Sequence, residues 1–313
     1  MNASLRTQLT AIPKNLWVFL LVLTLFRLIY VYFLPLTPQE AYYWYYAQYP
    51  DLSYFDHPPL TAYAIYIGTI LFGNNAFGVK FMAVLFGLLT NIFLLLTISD
   101  ALKWKDCYTK NQQNRLLWIT TALFNLTIFA HLYAVLNVPD NGLLLFWILS
   151  MYFFQKILID GKKRWWFLSG AAFGLGLLAK YTIVALIPAY LVILLVKKEY
   201  RHWLTTPYPY LGLLTAIFVS SPVVIWNYLH DWASFRFQFS GRADEAKSLR
   251  FNYFGQLIAS QLFMLTPYLF ILIPKAVVIF LKRRIYNTPA LFTFLSGIFI
   301  IGGFLLISFT SLI

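Results

Sequence analysis

The chain has 313 residues, of which 60% are hydrophobic and 11% charged, with a formal net charge of +13 and a mean hydropathy of +0.69. A soluble domain carries about a quarter charged residues, so this balance excludes one and points to a polytopic membrane protein. The apolar runs are continuous rather than alternating, so the expected fold class is all-α, a transmembrane helical bundle, and a closed β-barrel is excluded.

In chain order, the runs long enough to cross the hydrocarbon layer predict about nine spans: 15–35, 76–99, 115–135, 139–159, 165–179, 181–197, 209–229, 262–281 and 290–311. Residues 1–313 read as a single domain without internal repeat, low-complexity tract or soluble insert. The first run lacks a small-residue cleavage site and is too long for a signal-peptide core, so it reads as a retained anchor. Segments 36–75 and 230–261 are the longest outer loops, and their Tyr, Trp and Phe content predicts helices lying along the interface.

Basic residues set the orientation. With the N-terminus inside, 15 of the 24 Lys and Arg residues fall on inner segments, four on outer loops and the rest in or near spans, whereas seven of the 11 acidic residues fall outside. The positive charge is therefore a topology signal. It is dispersed over separate inner loops, so nucleic acid is not an expected partner. Cys107 is the single cysteine, which excludes an intramolecular disulfide and a zinc–thiolate site.

Runs 165–179 and 181–197 have basic residues at both outer limits, so both limits belong on the inner side. Each arm is only ~22–25 Å long. Together they predict a short hairpin whose tip, Ala179-Lys180-Tyr181, stops near the outer interface. Gly170, Gly174 and Gly176 on the first arm permit close helix packing. Lys180 has either to snorkel or to meet an anion.

Segment 37–60 gathers Glu40, Asp51, Asp56 and His57 among eight aromatic residues, just past the first span. Thr37-Pro38-Gln39-Glu40 has the form of a helix start, so Glu40 is either a capping residue or a general base or metal ligand facing a cavity. Asp56-His57-Pro58-Pro59 offers the same choice: Asp56 caps a helix, or the Asp–His pair binds a phosphate or ligates a divalent metal. Asp140 opens a span, where its charge suits the helix dipole, yet it lies level with the other outer carboxylates. Trp226-Asn227 through Ser234-Phe235-Arg236-Phe237-Gln238, with Arg236 and Arg242 outside, reads as an aromatic belt or as a phosphate- and sugar-contacting segment.

These motifs resemble, in order, polytopic glycosyltransferases that use polyprenyl-phosphate-linked sugars, the broad superfamily with protein O-mannosyltransferases. The resemblance is strongest to the bacterial branch with the aminoarabinose transferases of lipid A. It is carried by Gln39-Glu40-Ala41-Tyr42-Tyr43-Trp44, Tyr54-Phe55-Asp56-His57-Pro58-Pro59-Leu60, Pro139-Asp140, Leu178-Ala179-Lys180-Tyr181, and Ser221-Pro222 through Gln238. It implies an inverting transferase in the bacterial cytoplasmic membrane, its site facing the exterior. The implied partners are a polyprenyl-phosphate sugar donor, a lipid, glycan or protein acceptor, and membrane lipids.

The resemblance also implies roles. Glu40 or Asp56 would be the catalytic carboxylate, while Lys180, with Arg236 and Arg242, would hold the donor phosphate. Gln39, His57, Asp140, Tyr181 and Asn227 would support them, and Asp56 with His57 would be the place for a divalent metal. Two departures stand out. Relatives show an Asp-Glu pair where this chain has Gln39-Glu40, and they usually continue beyond Ile313 with more spans and a distal domain. A lipid-linked-sugar flippase and a non-catalytic shortened relative are the rival expectations.

Overall fold

The structure, a computed structural model, describes residues 8–103, 108–238, 251–282, 288–289 and 291–298. Among them every regular element is helical. Helix α1 (Lys14–Phe33) ends where Leu34 turns extended ahead of Pro35. Helices α2 (Pro38–Gln48) and α3 (Leu60–Phe72) fill the first predicted outer loop, and α4 (Ala76–Lys103) returns across the bundle. Then come α5 (Lys110–Asn125), the single turn α6 (Ile128–Leu132), and α7 (Pro139–Asp160). Pro139 starts α7, and Gly161, in the left-handed region at φ 62°, ends it. Helix α8 (Arg164–Ala179) leads through extended Lys180 and a 3₁₀ turn to α9 (Leu186–Val196). Helices α10 (Tyr208–Leu229), α11 (Ala233–Arg236), α12 (Phe251–Met264) and α13 (Thr266–Lys282) follow.

Four of these helices, α1, α4, α7 and α10, are long and apolar enough to cross a membrane, or up to six spans if each of two bent pairs is counted as one. The predicted nine are thus not all recovered as single helices. Run 115–135 breaks because Asn125 ends α5 and the Thr127 hydroxyl caps α6 by accepting from the Ala130 N–H at 3.1 Å. Run 262–281 breaks at Leu265, where α12 and α13 meet at 106° and Thr266 takes φ 69°. Hydropathy averages over such breaks. Most of the last predicted run, 290–311, lies outside the described residues, as does Cys107.

Helix α7 is central, with 72% of its apolar window enclosed against 22–44% for the other three. Its Phe154 stacks on Tyr190 of α9 at 4.0 Å and meets Phe292 at 4.7 Å. The 165–197 hairpin is present: Ser169 Oγ and Tyr190 Oη, nearly equidistant from Lys180, lie 3.2 Å apart. Small residues seat this hairpin. A Cβ on Gly170 would lie 2.0 Å from the Gly212 carbonyl oxygen, and one on Gly174 would lie 2.7 Å from that of Ala216. Each helix thus presents a small residue four positions from the next, so α8 and α10 pack backbone to backbone.

Among the described residues, the Lys–carboxylate ion pairs fall in two layers. One holds Glu40, Lys80, Asp140 and Lys180. The other holds Asp100, Lys156 and Asp160, with Lys156 Nζ 3.2 Å from each carboxylate and Gln8 donating to Asp100 at 2.8 Å. Along α4, Lys80 and Asp100 are ~30 Å apart at 1.5 Å per residue, which matches the hydrocarbon thickness. The two layers therefore lie toward opposite ends of α4.

Because the α8–α10 contact admits no side chain, Gly170→Ala is expected to cost about 1–3 kcal/mol, read as a lower unfolding temperature in detergent. Gly255→Ala, whose added Cβ would meet nothing within 4 Å, should not lower that temperature and should raise it slightly, because Ala is favoured over Gly inside a helix by about 0.5–1 kcal/mol.

Candidate functional site

The site starts from the beginning of α2. Thr37 and Glu40 form a full capping box with Pro38 in the first turn. Glu40 goes further than capping. Its Oε2 accepts from the Thr37 N–H and hydroxyl at 3.0 Å each and forms an ion pair with Lys80; its Oε1 accepts from the Asn137 N–H at 3.1 Å. Glu40 and Lys80 are both fully buried. This corrects the reading in which Glu40 faces a cavity: its oxygens are engaged on every side and α2 is locked to α4 and to the start of α7.

With α2 fixed, its tyrosines fall around Asp56. Tyr46 donates to Oδ1 at 2.6 Å and Tyr42 to Oδ2 at 2.9 Å, while Gln238 Nε2 donates to the Asp56 carbonyl at 2.7 Å. Burial first, and hydrogen bonding to Asp56 second, push the Tyr46 phenol well above its ordinary range; burial chiefly raises Tyr42 as well. Both therefore remain donors and orient the carboxylate. Tyr43 lies within the field of both Asp56 and Asp140. Its phenol is raised by burial and then by the fields of Asp56 and Asp140, and it hydrogen-bonds with Gln39. The His57 ring meets Tyr43 edge-on at 5.5 Å, and its Nε2 is 4.0 Å from Asp56 Oδ2.

Lys180, at the hairpin tip, meets Asp140 at 2.8 Å. Here access separates the groups. The side chains of Lys180, Asp140, Asp56 and His57 keep 23–30% of their surface exposed, whereas Glu40 and Lys80 keep none. The two expected site carboxylates that a ligand can reach are therefore Asp56 and Asp140.

The segment after α10 closes over this cluster. Asp231 and Trp232 both take positive φ, 52° and 60°, an arrangement costing ~1–2 kcal/mol per residue, and the Asn227 carbonyl accepts from the Trp232 N–H at 2.7 Å to hold the turn. Asn227 Oδ1 also accepts from the Phe235 N–H at 3.1 Å. The turn carries Phe237 onto Phe55 at 4.9 Å and Phe235 onto Tyr181 at 5.6 Å, with Tyr181 Oη 3.3 Å from Ser234 Oγ. Asn227 and Tyr181 thus support the architecture, and exposed Arg236 sits on the strap between Ser234 and Gln238. Arg242 lies outside the described residues.

The sequence profile of the family described as dolichyl-phosphate-mannose-protein mannosyltransferase matches residues 56–226. The chain belongs to this family. The matched segment holds Asp56, Asp140 and Lys180, while Gln39 and Glu40 precede it. Two solved structures of ArnT from Cupriavidus metallidurans share the fold. The apo form has a TM-score of 0.69 at 19% identity, covering 95% of this chain and 55% of that one. The form bound to undecaprenyl phosphate has a TM-score of 0.70 at 18% identity, covering 96% and 56%. The chain therefore spans just over half the length of these structures. A search of curated protein sequences gives no match.

Among the described residues no third His, Cys, Asp or Glu joins Asp56 and His57, and both Asp56 oxygens already accept phenol hydrogens.

Sequence reasoning missed Lys80, Asn137, Tyr42 and Tyr46 as site-building residues. A lysine inside an apolar run was the available signal for Lys80; the tyrosines gave none beyond their helical spacing from Gln39. Removing one member of a buried ion pair costs ~3–5 kcal/mol, so Lys80→Met is expected to lower the unfolding temperature sharply. The double variant Lys80→Met/Glu40→Gln should recover most of the loss, as measured by thermal unfolding of the purified chain.

Proposed function

We propose that this protein transfers a sugar from a polyprenyl-phosphate-linked donor to an envelope acceptor, whether lipid A or lipopolysaccharide, another glycan or a protein. It would act at the outer face of a bacterial cytoplasmic membrane. The observation that carries this reading is that Lys180, paired with Asp140, and Asp56 come from separate parts of the chain and all stay partly exposed, with Tyr43 in the field of both carboxylates. Family membership and the undecaprenyl phosphate held by the ArnT structure support it.

In this reading the donor phosphate approaches Lys180, which exchanges part of its contact with Asp140 for the anion. A lysine preset beside the leaving phosphate stabilises the charge that grows as the glycosidic bond breaks, the kind of term that usually contributes most to catalysis. Arg236, on the strap, supplies a second cation, and Arg242 is proposed for the same task. Asp56, oriented by Tyr42 and Tyr46, takes the proton from the acceptor hydroxyl as its oxygen attacks the anomeric carbon. One displacement inverts the configuration. The proton ends on Asp56 and the polyprenyl phosphate leaves as the anion. Glu40 acts through α2 as a positioning residue.

Gln39 favours a second reading, a non-catalytic binder of polyprenyl phosphate, because an amide stands where relatives place a carboxylate and Glu40 is sealed away. Both readings meet in one assay: transfer from a synthetic polyprenyl-phosphate sugar in proteoliposomes. The transferase reading predicts measurable turnover, a loss of about 10²–10⁴-fold in Asp56→Asn, and a comparable loss in Lys180→Ala. Equal rates for wild type and Lys180→Ala would overturn it. An inactive wild type that gains turnover in Gln39→Asp would establish the binder.

A further inference from the structure

An open depression of about 270 Å³ is lined by Tyr45, Tyr46, Tyr49, Asp51 and Tyr54. We propose that it binds an organic ammonium group, primary or quaternary, held against tyrosine faces and the Asp51 carboxylate. This inference does not rest on the transferase reading.

The rings come in two pairs. Tyr46 and Tyr54 are parallel at 4.2 Å, and Tyr45 and Tyr49 lie 5.2 Å apart at 57°. Their hydroxyls are partly spent elsewhere: Tyr46 donates to Asp56, and Tyr54 to the carbonyls of Tyr46 and Tyr49 at 2.9 and 3.2 Å. Two of the four wall hydroxyls are therefore engaged and the wall is more apolar than polar, which argues against a sugar ring. It also holds one formal charge. Asp51 Oδ1 accepts from the Leu52 N–H at 2.6 Å and Oδ2 from Trp226 Nε1 at 2.8 Å. Both donors are neutral, so the charge persists, and among the described residues no Lys, Arg or His pairs with Asp51. A carboxylate has about four acceptor positions, which leaves room for further donors.

Aromatic faces around one anion make a setting that attracts a weakly hydrated cation, through the ring quadrupoles and the carboxylate together. A metal ion is a poor fit, since among the described residues no group of three or more His, Cys, Asp or Glu side chains converges. The depression is a little below the ~300 Å³ of the smallest drug-sized pockets, suited to a headgroup rather than a whole lipid. The ammonium has two sources, a phospholipid headgroup or a water-soluble amine.

The test is calorimetric titration of the full chain, in nanodiscs of phosphatidylglycerol, with choline, ethanolamine and dimethylbutanol, the neutral isostere of choline. Choline and ethanolamine should bind, with the neutral isostere about tenfold weaker or more. Asp51→Asn should weaken choline binding about fivefold or more, as should Tyr49→Leu, an exposed position whose change leaves the fold intact. Absence of binding, equal binding of the neutral isostere, or unchanged affinity in both variants would overturn the proposal. Repeating the titration in phosphatidylcholine or phosphatidylethanolamine discs assigns the source: weakened choline binding identifies the bilayer headgroup, and unchanged binding identifies a soluble amine. Tyr45, Tyr49 and Asp51 have no part in the proposed transfer chemistry, so failure here leaves that reading standing.

Discussion

The buried contact between Glu40 and Lys80 is the constraint on which the rest of this structure depends. Two charges removed from water cost several kcal/mol each unless they are paired and hydrogen-bonded, and here both oxygens of Glu40 find partners among Thr37, Asn137 and Lys80. The contact joins the start of α2 to α4 and α7. It fixes the rotation of α2, and that rotation decides which tyrosines reach Asp56. Replacing the pair by neutral groups would preserve burial but not direction. An ion pair shared by a capping box and a spanning helix specifies one orientation of the helix.

From there the geometry is a sequence of consequences. Helix α2 aims Tyr42 and Tyr46 at Asp56 and sets Tyr43 within the field of both Asp56 and Asp140. The glycine contacts of α8 with α10 set the hairpin, and with it Lys180. The left-handed turn at Asp231 and Trp232 folds the strap back so that Gln238 reaches the Asp56 carbonyl. Asp51 then ties the first loop to α10 through Trp226. Residues more than a hundred positions apart are joined by side-chain hydrogen bonds, Asp51 to Trp226 and Gln238 to Asp56, on a frame set by backbone packing of α8 against α10.

Much of this was legible in the sequence, and the failures have physical causes. The helix start at Thr37–Glu40 was readable because a capping box is local, and hydropathy with charge placement showed that Lys180 had either to snorkel or to meet an anion. The division of labour between Glu40 and Asp56 was not readable. It depends on Lys80, whose side-chain direction on a long apolar helix is set by tertiary packing. Runs 115–135 and 262–281 are not single helices, because a hydroxyl cap at Thr127 and a positive-φ threonine after Leu265 interrupt stretches whose average hydropathy stays high. The clasp between Asp51 and Trp226 joins positions with no periodic relation, so nothing in the pattern announced it.

The central claim is that an anionic lipid phosphate docks at the Lys180 end of the bundle, between Asp140 and the strap that carries Arg236. An experimental structure of the chain with polyprenyl phosphate tests it most directly. The account predicts phosphate density within hydrogen-bonding distance of Lys180 Nζ, with Asp140 drawn away from its present contact. Phosphate density at the opposite ionic layer, beside Lys156, with the Lys180–Asp140 pair undisturbed, would contradict it.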